Sequence, residues 1–267
     1  MLLISSATNP KFKSLLDLEK SKSRKQHGLA LVEGEKEIEM ALAGGYVFQS
    51  VYVVQKLHDP RLLDLIKEKN IDLQVYELTQ DLFSKLSYRE TTGGIVAVVK
   101  TQLHSIADLP LKENGLYLVV EGVEKPGNLG AILRTADASG VDGVICCNLP
   151  SDIYNPNVIR SSLGTVFTVD IAVSSNQEAI EWLKNNKITV FCTDLKGAEN
   201  YHLKDFTKAS AIVVGTEATG VSKEWIDSTV NIIKIPMLGK IDSMNVSVAS
   251  AILLFEAKRQ RGFSPLL

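Results

Sequence analysis

The sequence predicts an α/β protein with two domains, the second of which holds a mostly parallel sheet. Short apolar runs rich in β-branched residues alternate with helical patterns along the whole chain, which is typical of α/β layers. The length of 267 residues leaves room for two ordinary domains, and a polar segment at 101–114 interrupts the alternation. We therefore predict a small α/β domain over 1–100, a linker over 101–114 and a larger domain over 115–267.

The elements of the two domains follow from the spacing of apolar residues. In the first domain the pattern predicts strands at 29–32, 51–54, 74–76 and 95–99, and helices at 36–43, 60–69 and 80–86. In the second it predicts strands at 116–122, 143–147, 169–173, 189–193, 211–215 and 231–235, and helices at 129–139, 176–185, 223–228 and 245–260. Strands that alternate with helices in this way favour a parallel sheet, whose ligands bind beyond the carboxyl ends of the strands.

The charge distribution is uneven. The formal net charge of −2 argues against indiscriminate binding to polyanions, yet the first 28 residues contain six basic and two acidic side chains. Such an asymmetry indicates a nucleic-acid contact, for which Lys22, Arg24 and Lys25 are the candidates. A solvated, charged first helix explains the same residues equally well.

The composition predicts a cytoplasmic protein without metal or disulfides. Only four apolar residues precede Ser5, and no apolar run approaches the ~18 residues of a membrane span. The three cysteines Cys146, Cys147 and Cys192 are odd in number and lack the paired spacing of metal ligands. They are therefore predicted to be buried, reduced thiols.

A first segment with potential chemistry is EKPGNLGAILRTADASG, residues 124–140. Asn128 is predicted to cap a helix that begins at Leu129 and that exposes Arg134 and Asp137. By itself the segment favours an ion pair between Arg134 and Asp137 on a wet surface over a catalytic role. The predicted buried stripe of this helix consists of Leu129, Ile132, Leu133 and Ala136.

Two further segments place polar residues after strands of the second domain. In AIVVGTEATGVSKEW the strand ends at Gly215 and releases a loop over 216–220, where glycine permits a close approach of the backbone to a ligand. In IIKIPMLGKIDSMNVSVASAILLFEAKRQRG either Ser243 or Asn245 serves as a helix cap. Capping does not explain the further serines of this helix start, which indicate that it holds a ligand. In IYNPNVIRSSLGTVF, Arg160 is a candidate phosphate contact.

Taken in order, the motifs N-x-G-A-I-x-R-T-A, V-G-T-E-x-x-G and I-P-M-x-G-x-x-x-S-x-N-V-S-V-A resemble the three signatures of the SpoU (TrmH-type) RNA ribose 2′-O-methyltransferases of the SPOUT class. The first domain resembles the L30e/L7Ae-like RNA-binding module that many members carry. The resemblance implies a sheet with a deep trefoil knot, S-adenosylmethionine bound in the knot and a homodimer that completes the site.

The resemblance also implies roles for individual residues. Arg134 corresponds to the catalytic arginine, Glu217 to the acid of the second motif, and Ser243 and Asn245 to the polar pair of the third; Asn128 belongs to the same catalytic group. Arg160 matches an arginine implicated with substrate. The residues that would hold the cofactor are Thr193, Gly215, Ile235 and Met244.

Two readings of Arg134 follow from this resemblance. Either Arg134 accepts the proton of the ribose hydroxyl with help from an RNA phosphate, or it only holds the phosphate, since a guanidinium stays protonated at ordinary pH. The expected substrate is 23S rRNA. The alternatives are a tRNA 2′-O-methyltransferase and a non-catalytic RNA-binding protein of ribosome assembly; a nicotinamide-dependent oxidoreductase would need a G-x-G-x-x-G turn that the chain lacks.

Overall fold

The fold consists of two compact units. The structure, a computed structural model, describes residues 1–55, 57–86, 93–102, 104–194, 199–216 and 219–263. The first unit comprises Met1–Leu103 and Asp152–Thr168, and the second comprises His104–Ser151 and Val169–Leu267.

Among the described residues of the first 103, the chain forms five strands and five helices. They are β1 (Leu2–Ile4), α1 (Pro10–Asp17), α2 (Ser21–His27), β2 (Leu29–Glu33), α3 (Glu35–Ala43), β3 (Phe48–Val53), α4 (Pro60–Lys69), β4 (Gln74–Leu78), α5 (Gln80–Leu86) and β5 (Ile95–Lys100). Every strand and helix predicted here is confirmed, within three residues at either end. The pattern missed β1, α1 and α2; β1 has only three residues, and α2 contains no apolar residue from which a period could be read.

The remaining chain adds seven strands and five helices among the described residues. They are β6 (Leu116–Glu121), α6 (Pro126–Ser139), β7 (Gly143–Cys147), α7 (Pro156–Ser161), β8 (Ile171–Ser174), α8 (Asn176–Asn185), β9 (Thr189–Thr193), β10 (Glu199–Asn200), β11 (Ser210–Val214), α9 (Lys223–Asp227), β12 (Ile232–Lys234) and α10 (Val246–Gln260). The predicted elements are again confirmed. The two elements that the sequence pattern missed, α7 and β10, are six and two residues long.

The sheet of the first unit is mixed, with the strand order β1-β4-β3-β5-β2. Strands β1, β4 and β3 are parallel, whereas β5 runs antiparallel to both β3 and β2. Helices α1 and α5 contribute Phe12, Leu15 and Phe83 to an apolar cluster with strand residues such as Leu78 and Val96. This cluster removes one face of the sheet from water, which is the main favourable contribution to folding.

The sheet of the second unit has the strand order β10-β12-β9-β11-β6-β7-β8, and every described pairing in it is parallel. Every residue of β6, β7 and β11 is buried, as expected for strands covered on both faces. Strands β6, β7 and β8 lie side by side in chain order. After β8 the chain crosses to the other side of β6, where the remaining four described strands of the sheet lie. The prediction of a mostly parallel sheet is therefore confirmed.

Helices α6 and α10 of the second unit pack against each other and are joined near both ends. The Nδ2 of Asn245, the residue before α10, donates to Oδ1 of Asn128 in the first turn of α6, at 3.1 Å. Near the other ends, Lys258 Nζ donates to the carbonyl oxygen of Gly140 at 2.5 Å. The two helices are consequently parallel, and their amino termini lie together.

The segment Asp152–Thr168 departs from the predicted domain organisation, because the sequence assigned it to the domain over 115–267 and the structure groups it with the first unit. The Tyr46 hydroxyl lies 2.9 Å from that of Tyr154, and both rings meet Phe167. The predicted linker over 101–114 contains a 3-10 turn and the buried Leu109. The other predicted boundaries stay predictions.

The three cysteines are free and buried, as predicted. Burial raises the pKa of Cys146 and of Cys192 to about 12, and it raises the pKa of Cys147 as well. In the ranges that the structure describes, no helix is long and apolar enough to cross a membrane. The same ranges contain no group of three or more His, Cys, Asp or Glu side chains arranged to hold a metal ion.

Because the thiolate is the reactive form and an unfolded cysteine has a pKa of about 8.5, we expect none of the three thiols to react with a disulfide reagent at pH 8 in the native protein. In 8 M urea all three should react within minutes. The absorbance of the thiolate released from the reagent measures the extent of reaction in the native and in the unfolded protein. Fast labelling of even one thiol in the native protein would contradict the burial described here.

Candidate functional site

The second unit carries a cleft of about 380 Å³ beyond the carboxyl ends of three adjacent strands. Thr193 ends β9, Gly215 follows β11 and Ile235 follows β12, and all three residues line the cleft. Because the strands are parallel and adjacent, their carboxyl ends open at one edge of the sheet, where α/β proteins bind their ligands. Ser243 and Met244, just before α10, complete another wall.

The two described ends of the loop after β11 are joined by hydrogen bonds. Thr216 and Gly220 exchange two backbone hydrogen bonds of 3.1 and 3.0 Å, and the Thr216 hydroxyl accepts from the amide of Thr219 at 3.0 Å. A Cβ atom on Gly215 would lie 2.1 Å from the carbonyl oxygen of Gly220. Only glycine fits at position 215, because the chain at Gly220 returns against it, and Gly215 itself lines the cleft.

A buried polar network fixes the far side of this loop. Glu121 ends β6 and accepts hydrogen bonds from the amide of Ser222 at 2.7 Å and from Nδ2 of Asn176 at 2.5 Å. The Oδ1 of Asn176 in turn accepts from the indole Nε1 of Trp225 at 3.0 Å. Since Glu121 and Asn176 are almost fully buried, each bond in the network matters to the position of the chain that leaves the cleft.

The start of α10 connects the cleft to α6. Asn245 caps α10, with its Oδ1 accepting from the amide of Ser247 at 2.9 Å and from the Ser247 hydroxyl at 2.6 Å. The other end of the same amide binds Asn128. The sequence left open whether Ser243 or Asn245 is the cap, and the structure assigns the cap to Asn245 and leaves Ser243 to line the cleft.

Asn128 is not the cap of α6, contrary to the prediction. The helix begins at Pro126, whose fixed φ suits the first position of a helix, and Lys125 stands at the cap position, where its side chain does not cap the helix. Asn128 therefore lies in the first turn, half-buried, with its side chain on Asn245. The predicted buried stripe is confirmed, and Gly130 and Ser139 are buried with it.

Arg134 is exposed on α6, six residues after Asn128 and about 9 Å further along the helix axis. In the described part of the chain it forms no ion pair with Asp137, so the surface pair that the sequence favoured is not formed. Nor does Arg134 line the cleft, as far as the described residues show. Its guanidinium group is presented outward from a helix that is fixed near both ends.

Of the residues predicted to contact substrate, all lie in the first unit. Lys22 and Lys25 are exposed on α2, and Arg160 is half-buried on α7, where it donates to the side chain of Asn157. Arg24 is only 2% exposed and forms an ion pair with Asp152 at 2.7 Å. The assignment of Arg24 as an exposed substrate contact is therefore wrong in this structure; it faces inward because α2 turns that side toward the rest of the unit.

The structure also adds residues that the sequence analysis did not name. Asp194, Lys234 and Met237 line the cleft. Their signal was present, because Asp194 and Lys234 lie at the carboxyl ends of predicted strands. Glu217, predicted as a catalytic acid, lies outside the described residues.

The arrangement brings five predicted residues to one cleft: Thr193, Gly215, Ile235, Ser243 and Met244. Its walls combine apolar side chains with threonines, one described carboxylate and one described ammonium group. A cleft of a few hundred Å³ with few polar groups suits a small organic molecule that carries both charges.

Comparisons with known proteins agree with this geometry. Residues 115–255 match the family model of the SpoU rRNA Methylase family, and residues 9–97 match the MRM3-like substrate binding domain. The chain is 30% identical over 258 residues to the 23S rRNA (guanosine(2553)-2′-O)-methyltransferase RlmP of Bacillus subtilis, which covers 97% of this chain and 100% of that protein.

Two further proteins extend the comparison. The 23S rRNA (uridine(2479)-2′-O)-methyltransferase of Streptomyces viridochromogenes is 29% identical over 246 residues, covering 89% of this chain and 85% of that protein. The AdoMet-bound rRNA methyltransferase from Sinorhizobium meliloti has a similar structure, with a TM-score of 0.88 at 27% identity over 96% of this chain and 97% of that one. The resemblance carried by the three motifs is thus confirmed.

The link between Asn245 and Asn128 gives a test of how α6 and α10 are joined. Asn245→Ala removes both the cap and the link, and we expect it to lower the free energy of unfolding by about 1–2 kcal/mol. Asn245→Ser keeps a capping hydroxyl and should cost about half as much, with no further loss on adding Asn128→Ala. Urea unfolding followed by circular dichroism measures each value. Equal losses for Ala and Ser would contradict a separate contribution of the link.

Proposed function

Because the chain belongs to the SpoU rRNA methylase family, we propose that it transfers a methyl group from S-adenosylmethionine to a ribose 2′-hydroxyl of 23S rRNA. The observation that carries this proposal is the cleft of the second unit, which gathers five of the site residues that the family resemblance implied. Two curated relatives that match most of the chain are named for 23S rRNA, one for a guanosine and one for a uridine. The target base is accordingly left open.

The residues that line the cleft suit S-adenosylmethionine. The glycine loop brings backbone close to the cavity at Gly215, where a Cβ atom would collide with Gly220. Val214, Ile235 and Met244 provide apolar wall for an adenine ring. The bound cofactor supplies an activated methyl group on its sulfonium, so the protein has mainly to orient the ribose hydroxyl and remove its proton.

In this scheme the residues of the second unit divide into two groups. Thr193, Gly215, Ile235 and Met244 bind the cofactor, and Ser243 lies between them and the start of α10. Asn128 and Asn245 hold α6 at the helix start and so orient Arg134. Glu217 belongs to the motif-two loop and is proposed, with them, to orient the catalytic groups.

Arg134 is the proposed catalytic residue, with two readings. In the first it accepts the hydroxyl proton, which requires a buried site and a phosphate beside it; in the second it only holds the phosphate, as an electrostatic clamp. The arginine is exposed in a single chain, and a second copy of the protein would complete its surroundings. The protein as a homodimer is therefore part of the proposal.

A face of α10 supports the homodimer. Val248 and Phe255 are 49% and 42% exposed, and half-buried Ile252 lies between them at helical spacing. The opposite side of the helix packs on α6, so α10 is apolar on both sides. We assign the exposed side to the second copy, and the trefoil knot expected of the family to the chain that leads into α10. A substrate in the ribosome would place the protein in the cytoplasm.

The first test is transfer of labelled methyl from S-adenosylmethionine to 23S rRNA, 16S rRNA and tRNA transcribed without modifications. We expect label in 23S rRNA alone. Arg134→Ala should lower the rate at least about 100-fold, since it removes a group that acts in the transition state. Arg259→Ala, which removes another exposed arginine of a helix in the second unit, is the matched control and should change the rate less than about twofold.

Other outcomes separate the alternatives. Label in tRNA would favour a tRNA methyltransferase, and absence of label with intact cofactor binding would favour a non-catalytic role in ribosome assembly. Arg134→Lys distinguishes the two readings of the arginine. A phosphate clamp should keep appreciable turnover with lysine, and such turnover would rule out the proton-accepting reading.

The dimer has its own test. Phe255→Asp introduces a charge on the exposed face of α10 and should convert a dimer into a monomer, because a buried unpaired carboxylate is costly. Light scattering coupled to size-exclusion chromatography measures the mass. Leu203→Asp, at a residue that is 67% exposed outside α10, should leave the dimer intact. A monomeric wild-type protein would contradict the proposal.

A further inference from the structure

The buried ion pair of the first unit joins two stretches of chain that are far apart in sequence. Nε of Arg24 donates to Oδ1 of Asp152 at 3.0 Å, and Nη2 donates to Oδ2 at 2.7 Å. The Ser21 hydroxyl donates to the same Oδ2 at 2.7 Å. Two parallel bonds from a planar guanidinium fix direction as well as distance, so α2 and Asp152 are held in a single relative orientation.

The second amino group of the same guanidinium fixes the turn before α2. Nη1 of Arg24 donates to the carbonyl oxygens of Leu18 and Glu19 at 2.8 and 2.7 Å. Burial acts to raise the pKa of Asp152, but the hydrogen bonds from Arg24 and Ser21 outweigh it and hold the pKa below its ordinary value. The carboxylate is therefore charged at neutral pH, and the pair persists across the range in which the enzyme would work.

Basic residues lie close in sequence to both members of the ion pair. Lys22 and Lys25 flank Arg24 on α2 and are exposed. On the other side, α7 begins four residues after Asp152 and carries Arg160. Helices α2 and α7 both pack against β2.

A small cavity shows how near the two sides come. Arg160 lines it together with Glu19 and Leu31, and Glu19 is one of the two residues whose carbonyl oxygen binds Arg24. The guanidinium group of Arg160 therefore belongs to the same region of the first unit as the turn that Arg24 braces. The pair is one of the contacts that hold the segment carrying Arg160 in this region, beside the packing of α7 on β2.

A buried ion pair is a poor source of stability, because the desolvation of two charges offsets most of their attraction. Its planar geometry is, however, well suited to fixing a position. We propose that Arg24 and Asp152 are positioning residues, which hold Arg160 beside Lys22 and Lys25 so that the phosphates of a structured RNA meet one cationic surface. The inference rests on the proposed function, because it takes these three cations, which the sequence analysis assigned to the substrate, as contacts with the RNA.

The sign of the change in RNA affinity on Asp152→Asn distinguishes a positioning role of the pair from a purely electrostatic one. Removing a negative charge near an RNA-binding surface by itself strengthens binding. If the pair positions Arg160, the same substitution weakens binding, about tenfold for a loss of one well-placed charged contact. The probe is unmodified 23S rRNA transcript in a filter-binding assay with the full chain at fixed salt.

The matched control is Asp64→Asn, which also removes one negative charge from the first unit but breaks an exposed pair with Lys67. It should leave RNA affinity unchanged or raise it slightly. Calorimetric binding of S-adenosylmethionine should be the same in both variants and the wild type. RNA affinity of Asp152→Asn equal to or above that of the wild type would overturn the proposal.

The salt dependence and a double-mutant cycle add readouts that a purely structural role would not move. Arg160→Ala should lower the slope of log affinity against log salt by about 0.7–0.9, the value for one phosphate contact, and Asp152→Asn should lower it similarly. The double variant should bind no more weakly than Arg160→Ala alone. Additive losses would mean that the pair does not act through Arg160.

If Asp152→Asn fails to fold, Ser21→Ala provides the milder test, because it removes one hydrogen bond to Asp152 and leaves the ion pair. It should weaken RNA binding about two- to threefold and show the same lack of additivity with Arg160→Ala. A folded Ser21→Ala protein with wild-type affinity, or one whose loss of affinity adds to that of Arg160→Ala, would overturn the proposal. A wild-type protein that binds RNA without methylating it would overturn the proposed function and leave the positioning pair standing.

Discussion

The parallel arrangement of β9, β11 and β12 is the constraint on which the rest of the second unit depends. Parallel strands need long connections, and those connections leave every carboxyl end at one edge of the sheet. Thr193, Gly215 and Ile235 are separated by about 20 residues each along the chain, yet they meet at one cleft because each follows its own strand. The apolar strands thereby determine where the polar chemistry is located, although they take no part in it.

The pairing of α6 with α10 brings the third segment to the same place. Both helices begin at the edge where the strands end, and a single amide, that of Asn245, caps one helix and binds the first turn of the other. An asparagine suits this position because its side chain offers an acceptor and a donor in fixed geometry. A serine or an aspartate would satisfy only one of the two neighbours. The polar residues at the start of α10, which capping alone did not explain, thus have three roles: they line the cleft, cap the helix backbone and bind α6.

Sequence patterns predicted the layers, the parallel sheet and the cluster of cleft residues, since strand ends and helix starts follow from local composition. They failed where a competing local signal decided and where a tertiary contact decided. Asn128 reads as a cap, but Pro126 starts the helix two residues earlier. Arg24 reads as one more surface cation among lysines, and only Asp152, distant in sequence, reveals that it is buried. Lys234 and Asp194 were overlooked because the one signal that they carry, a position at the end of a strand, is shared with many residues that line no site.

The division of the chain between the two units has a consequence for synthesis on the ribosome. The chain passes from one unit to the other after residues 103, 151 and 168, so the first unit is complete only when Thr168 has emerged. By then β6, α6 and β7 of the second unit have already been made. A nascent chain that ends before Asp152 contains an arginine whose carboxylate partner does not yet exist, and burying that charge alone would be strongly unfavourable. Parts of the second unit are therefore synthesised before the first unit is complete. The amino-terminal unit cannot reach its final packing before the segment up to Thr168 has been made.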